Sequence, residues 1–262
     1  MMKTTKLLIL ACATLMVAAC STPKNYNFFQ DLSDGQEITL PANRQIRLQP
    51  GDKISVMVTS KDPLMSNLFN KGFTSSTDGE KVDANKVHVS YTVDSDGGLD
   101  IPALGKVAVN GLTRMEAAQA VQNKLREELL KDANVTIEFL DLHFAVIGEV
   151  QQPGTYWINR DVFTLTDALA SAGGIDTYGK RDSVMVIRET PTGKKVYVVN
   201  MNSGRDVLTS EAFYIKQNDI INVKANNTKA RQSTANGNET RSISFWTSIV
   251  SLAATLSMLI FK

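Results

Sequence analysis

The run FWTSIVSLAATLSMLIF, Phe245 to Phe261, carries no charged residue, and it restricts the fold more than any other part of the chain. A segment of about seventeen such residues is a poor water-facing surface; as a helix rising ~1.5 Å per residue it reaches roughly 25 Å, the short limit for crossing a bilayer. An outer membrane thinner than average suits it. Trp246 is placed to anchor at a lipid interface and Lys262 to reach head groups. At about 100° per residue, Ser244, Ser248, Ser251, Thr255 and Lys262 fall on one stripe, with Trp246, Ile249, Val250, Ala253 and Ile260 opposite and Ser257 off the stripe. A transmembrane or amphipathic helix over 244–261 is expected. It is a plain anchor, a close-packing face between helices, or the lining of an aqueous lumen. The last two readings both require copies of the chain to associate.

The other end is apolar too. Met1 to Lys6 holds two lysines and no acid, and Leu7 to Ala19 is apolar or small. That pattern predicts a secretory signal peptide over 1–19, too short for a spanning helix. Cys20 follows Val17-Ala18-Ala19 directly, the offset at which bacterial lipoproteins are cut and the thiol becomes a diacylglyceryl thioether. Ser21 is not an acidic retention signal of the inner-membrane type. The chain has two cysteines, and Cys12 leaves with the signal. No disulfide is then available to the mature chain, so stability in an oxidising compartment rests on core burial.

Between the ends, apolar residues alternate as in strands. Residues 20–45 read as a loose tether with Tyr26, Phe28 and Phe29 and a helix-breaking Pro41. A first domain over 46–141 opens at Leu48-Gln49-Pro50-Gly51-Asp52, a turn feeding Ile54, Val56 and Val58. Val89, Tyr91 and Val93 alternate likewise, and Asp96-Gly97-Gly98 turns. The long stretch 61–84 has no assignable pattern. Thr113 and Glu116 have capping-box spacing before Ala117, Ala118, Val121, Leu125 and Leu129 at helical intervals. Val135, Ile137 and Phe139 return to a strand.

A second domain over 142–223 runs from a strand at 143–150 through a turn at Gln152-Pro153-Gly154 to a second strand. The helix Thr164–Ala172 then ends at Gly173-Gly174. Strands follow near 182–188 and 196–199. Ile215 to Val223 faintly echoes Leu48 to Val56: turn, aspartate, apolar strand. The echo is read as a shared turn–strand device. Residues 224–243, polar and low in complexity, read as a flexible linker.

Leu48-Gln49-Pro50-Gly51-Asp52 with Ile54, Val56, Gly97, Pro102, Gly105 and Gly111 resembles the polysaccharide export domain of the Wza-like outer-membrane polysaccharide exporters. Gly148-Glu149-Val150, Pro153-Gly154-Thr155-Tyr156, Thr164 to Leu169 and Ala172-Gly173-Gly174 resemble the soluble-ligand-binding β-grasp (SLBB) module that follows it in that family. The resemblance covers Ile46 to Val223 and both ends. It implies an α+β fold: a β-rich export domain, a β-grasp domain and a C-terminal membrane helix. It also implies a homo-oligomeric, porin-like ring at the outer membrane, lipid-anchored at Cys20, with most of the chain in the periplasm. An inner-membrane co-polymerase with tyrosine-kinase character and a synthase would deliver the polysaccharide. The chain departs from the longest members in having one β-grasp module and a shorter, more apolar final helix. The motif residues Pro50, Gly51, Asp52, Gly148, Pro153, Gly154, Gly173 and Gly174 carry a structural role in this reading.

Catalytic chemistry has no visible site. The only two histidines, His88 and His143, stand in strand contexts without metal-ligand spacing. Gly97-Gly98 and Gly173-Gly174 are a turn and a helix stop, not phosphate loops, and Ser171 is in no nucleophile elbow. Asp94, Asp96 and Asp100 lack the loop spacing of a calcium hand. No metal, cofactor or enzyme activity is expected. A net charge of +1, with basic residues spread out, argues against nucleic acid. The expected function is a lipid-anchored conduit for capsular or exopolysaccharide. Its rival is a periplasmic sugar-binding or adaptor lipoprotein in which the terminal helix only anchors.

Overall fold

A computed structural model describes residues 26–42, 45–70, 90–190, 192–234 and 242–260. Cys20, the expected signal peptide, His88 and Lys262 lie outside them. Within the described residues the chain builds two β-rich units with separate cores.

In the first unit, strand β1 (Lys53–Thr59) is central. It pairs antiparallel with β2 (Ser90–Thr92) on one side and β5 (Asn134–Phe139) on the other. Ile54, Val56 and Val58 point into the core, as their alternation predicts. Helix α1 (Pro63–Asn70) falls in the stretch without a pattern. It is held by one buried side chain, Phe69, and by Asn70, which donates to Val58 O and accepts from Val58 N–H. The ribbon β3 (Gly98–Ile101) and β4 (Gly105–Ala108) precedes helix α2 (Arg114–Glu128). Thr113 and Glu116 close the capping box at its start, and Ala117, Val121 and Leu125 are its buried face. Leu129 is not part of that face: it is the C-cap and 42% exposed. The acid cluster resolves into ion pairs, with Lys106 holding both Asp94 and Asp96.

The second unit is a five-stranded sheet, β7 (Gly154–Trp157), β6 (His143–Gly148), β10 (Ile220–Val223), β8 (Val184–Thr190), β9 (Gly193–Val199), in that spatial order. The last strand in the chain inserts at the centre, parallel to β6 and antiparallel to β8. Helices α3 (Leu165–Ser171) and α4 (Gly204–Thr209) follow the hairpins. The core gathers Phe144, Val146, Leu165, Ala168, Val184, Val186 and Ile221. Thr164 and Asp167 form a second capping box, and the Gly174 N–H bonds Leu169 O to stop α3.

Two segments expected to be loose are structured. Residues 26–42 form a strap over the second unit. Phe29 and Gln30 N–H donate to Met201 O and Asn202 O at 3.2 and 2.7 Å. Asp31 accepts from Ser203 Oγ at 2.7 Å and from the first N–H groups of α4, a cap supplied from 172 residues away. The Arg181 guanidinium lies 4.4 Å from the Tyr26 ring and 5.5 Å from that of Phe28. The aromatics that seemed incidental in a tether hold the strap down. In the expected linker, helix α5 (Asn227–Gln232) forms behind an Asn226 cap. Its entry is tied back by Lys180 N–H to Lys224 O and Asn226 N–H to Tyr178 O, at 2.8 and 2.7 Å. Polar composition concealed it because its hydrogen bonds, not a buried face, fix it.

The units touch. Ile46, at the head of the first, is buried in the core of the second, and Phe139 packs against both cores. Arg114 reaches Asp161 at 2.9 Å, and Gln217 Nε2 donates to Asp141 O at 3.2 Å.

Candidate functional site

The faint echo in the sequence is a real repeat of geometry. In Gln49-Pro50-Gly51-Asp52, the Gln49 N–H donates to the Asp52 carboxylate at 2.9 Å and the Asp52 N–H donates to Gln49 O at 3.1 Å. In Lys216-Gln217-Asn218-Asp219 the same two bonds measure 2.8 and 3.3 Å. The third position is left-handed in both, Gly51 at φ +94° and Asn218 at φ +61°. Glycine and asparagine are the residues that tolerate this conformation best. Each turn launches a core strand, β1 or β10.

The two turns line a single cleft between the units, about 630 Å³ in volume. Asp52 from the first turn and Gln217 and Asn218 from the second line it, with Asn110 and Glu189 beside them. A smaller cavity of about 270 Å³ shares Glu189 and Asn218 and continues along the outer sheet face past His143, Thr155 and Lys194. Trp157, 63% exposed, is in edge contact with His143 of that lining.

The two aspartates differ in their charge partners. Asp219 is fully buried and takes a two-pronged bond from Arg188, 2.9 Å at Nε and 2.7 Å at Nη2. Arg188 also donates to Tyr214 O and Glu211 O. Asp52 is only 5% exposed, and among the described residues no cation is paired with it. Burial pushes its carboxyl up to about 6, with repulsion from Asp141 adding and the Gln49 N–H opposing. Burial, helped by repulsion from Arg188, holds the Lys216 ammonium below its ordinary value.

The other motif residues stand elsewhere. Gly148 ends β6 at φ +91°, where a Cβ would meet Val223 O at 2.1 Å. Gly173 is pressed on Gln151, Gln151 N–H bonds Gly174 O, and Pro153-Gly154 opens β7. So Pro50, Gly51 and Asp52 sit at the domain interface, while Gly148, Pro153, Gly154, Gly173 and Gly174 gather at the opposite end of β6. The structure does not bring the two sets together. Sequence reading missed Glu189, Gln217, Asn218 and the Arg188–Asp219 pair; the echo was the one signal leading to them.

Helix α6 (Ile243–Ile260) contains the hydroxyl stripe. Ser248 Oγ and Thr255 Oγ1 donate to Ser244 O and Ser251 O, each at 2.8 Å. Bonded back to their own helix, these hydroxyls leave a small, smooth face instead of reaching outward. Every described side chain of α6 is exposed, Ile243, Val250, Leu252 and Leu259 most of all. Among the described residues no helix is long and apolar enough to cross a membrane. The expected C-terminal membrane helix over 244–261 is therefore not supported as a segment that crosses a bilayer. Eighteen residues reach only about 27 Å against a hydrocarbon core of about 30 Å.

Comparison with known proteins fits this architecture. A family model described as polysaccharide biosynthesis/export protein matches residues 40–140, and an SLBB domain model matches 142–223. The EPS I polysaccharide export outer membrane protein EpsA of Ralstonia solanacearum is 26% identical over 196 residues, covering 69% of this chain and 51% of its own. Its namesake in Ralstonia nicotianae is 28% identical over 134 residues, 50% of this chain and 35% of that protein. The chain thus spans about half the length of the first relative and about a third of the second. Proteins of the polysaccharide export family are transport components, not enzymes. The chain belongs to the Wza-like polysaccharide export family.

Proposed function

We propose that this chain is an outer-membrane lipoprotein, acylated at Cys20, whose copies assemble into a ring that conducts capsular or exopolysaccharide. The relatives are named outer membrane export proteins for an exopolysaccharide. The body stands in the periplasm, and an inner-membrane co-polymerase with tyrosine-kinase character supplies polymer from below. The observation that carries the assembly is α6: a charge-free helix, exposed on every described side, with a smooth hydroxyl stripe. Such a helix needs lipid or copies of itself to cover it. Too short to cross alone, it enters the bilayer as one member of a ring, its stripe against the next helix.

Two contacts on the second unit support a shared membrane-facing side. The strap is held at Arg181 and the entry to α5 at Tyr178 and Lys180, so both chain ends leave the same loop. Tyr26 is six residues from Cys20, a reach of at most roughly 20 Å.

The test is mass measurement after detergent extraction, on the full chain and on a chain lacking 245–262. A multimer that falls apart on deletion is expected. A full chain that stays monomeric at every concentration overturns the conduit, as does Lys262 that is never labelled from outside the cell.

A further inference from the structure

We infer that the cleft between the twin turns is a binding subsite for a neutral, hydroxyl-rich oligosaccharide, with Asp52 and Gln217 as its principal hydrogen-bonding groups. The inference rests on the polysaccharide-export reading and deepens it by placing a contact with the glycan on particular residues.

The volume comes first. About 630 Å³ falls within the range of roughly 300–1,000 Å³ for clefts that hold small organic ligands. The smaller cavity that shares Glu189 and Asn218 lengthens it into a groove, which suits a chain of sugar units better than a compact ligand.

The lining selects the chemistry. Gln45, Gln49, Asn110, Gln217 and Asn218 bring five carboxamides to the wall. A carboxamide both donates and accepts, as a sugar hydroxyl does, so each matches a hydroxyl in either sense. An apolar ligand would strip water from these amides without replacing its bonds. A polyanion would meet Asp52 and Glu189. Of the cations along the cleft and its extension, Arg47 is engaged with Gly111 O and Glu116 and Lys194 is the cross-strand partner of Glu189, which leaves Lys216 to set against the carboxylate of Asp52.

Two groups are left with bonding capacity. Gln217 donates through Nε2 to Asp141 O, but its Oε1 is buried without a partner. Asp52, 5% exposed, lines the same cleft and accepts from Gln49 N–H through Oδ2. Buried polar atoms are normally satisfied. The orphan Gln217 Oε1 and the Asp52 carboxylate in the same cleft call for donors from a ligand, and sugar hydroxyls supply them. Beside His143 of the smaller cavity, the exposed Trp157 ring offers the flat apolar surface on which the C–H face of a sugar ring packs.

The experiment is hydrogen exchange on the full chain in detergent, titrated with short oligomers cut from the secreted polysaccharide of the producing cell. Slowed exchange at 48–52 and 216–220 is expected. Asp52→Asn and Gln217→Leu should each weaken binding roughly fivefold to tenfold, the loss of one hydrogen bond to a hydroxyl. Glu211→Gln, outside the groove, should leave it unchanged, and unfolding curves on all three confirm that they fold. No protection at millimolar oligomer, protection confined to other regions, or equal affinity in all variants overturns the inference. An assembled, exporting chain whose cleft ignores the oligomers sinks the subsite and leaves the conduit standing. A chain that binds them in the cleft yet remains monomeric does the reverse.

Discussion

The turn at 49–52 and the turn at 216–219 have the same backbone bonds and opposite electrostatics. One buries its aspartate against Arg188; the other buries its aspartate near the like-charged Asp141, with no paired cation among the described residues. The comparison separates two jobs of one device. The carboxylate that accepts the N–H three residues back shapes the turn in both, so the turn itself needs no cation. The cation at Asp219 is required by depth, since a fully buried carboxylate must be paired or neutralised. Asp52 lies at a cleft wall and answers its weaker desolvation by a raised pKa instead.

The comparison is tested most severely by Arg188→Met. It strands Asp219, and a loss of about 3–5 kcal/mol in denaturant unfolding at pH 7 is expected. Adding Asp219→Asn should recover more than half of it. A loss under about 1 kcal/mol would mean that the pair is not what neutralises Asp219.

Asp52→Asn should act in the opposite direction. A carboxyl raised from 3.8 to about 6 binds its proton more tightly in the folded chain. Folded stability is therefore lost as pH rises from about 4 through about 6, because the unfolded state binds fewer protons there. The variant escapes that loss and should be more stable by about 2 kcal/mol at pH 7, with no advantage at pH 4. Unfolding curves at both pH values decide it; an advantage that is the same at both would exclude ionisation as the cause.

The smallest effects probe the third turn position. Gly51→Ala places a Cβ at φ +94° and should cost about 1 kcal/mol although nothing lies within 4 Å of it. Asn218→Gly, at φ +61°, should change stability by less than about 0.5 kcal/mol. Equal costs at the two turns would mean that the left-handed φ is not what sets them.

Local signals were legible where their partners are near in sequence. The Thr113–Glu116 box, the Gly173-Gly174 stop and the alternation of Ile54, Val56 and Val58 involve neighbours within a few residues, and each stands in the structure as read. The strap was read as loose because Asp31 caps a helix that starts 173 residues later, and composition carries no trace of such a partner. Arg188 and Asp219, 31 residues apart, were invisible for the same reason.

The residues alone determined most of the strands, though not the β3–β4 ribbon, where α2 and α3 begin and that the stretch after residue 243 is a charge-free helix. Those follow from backbone geometry and side-chain period, which act over a turn or two. Tertiary structure decided that β10 enters the sheet centre beside β6 and that the strap crosses the second unit. It also brought the twin turns to face each other across one cleft. Those arrangements depend on contacts between distant segments, whose energy is gained only after the chain has closed long loops.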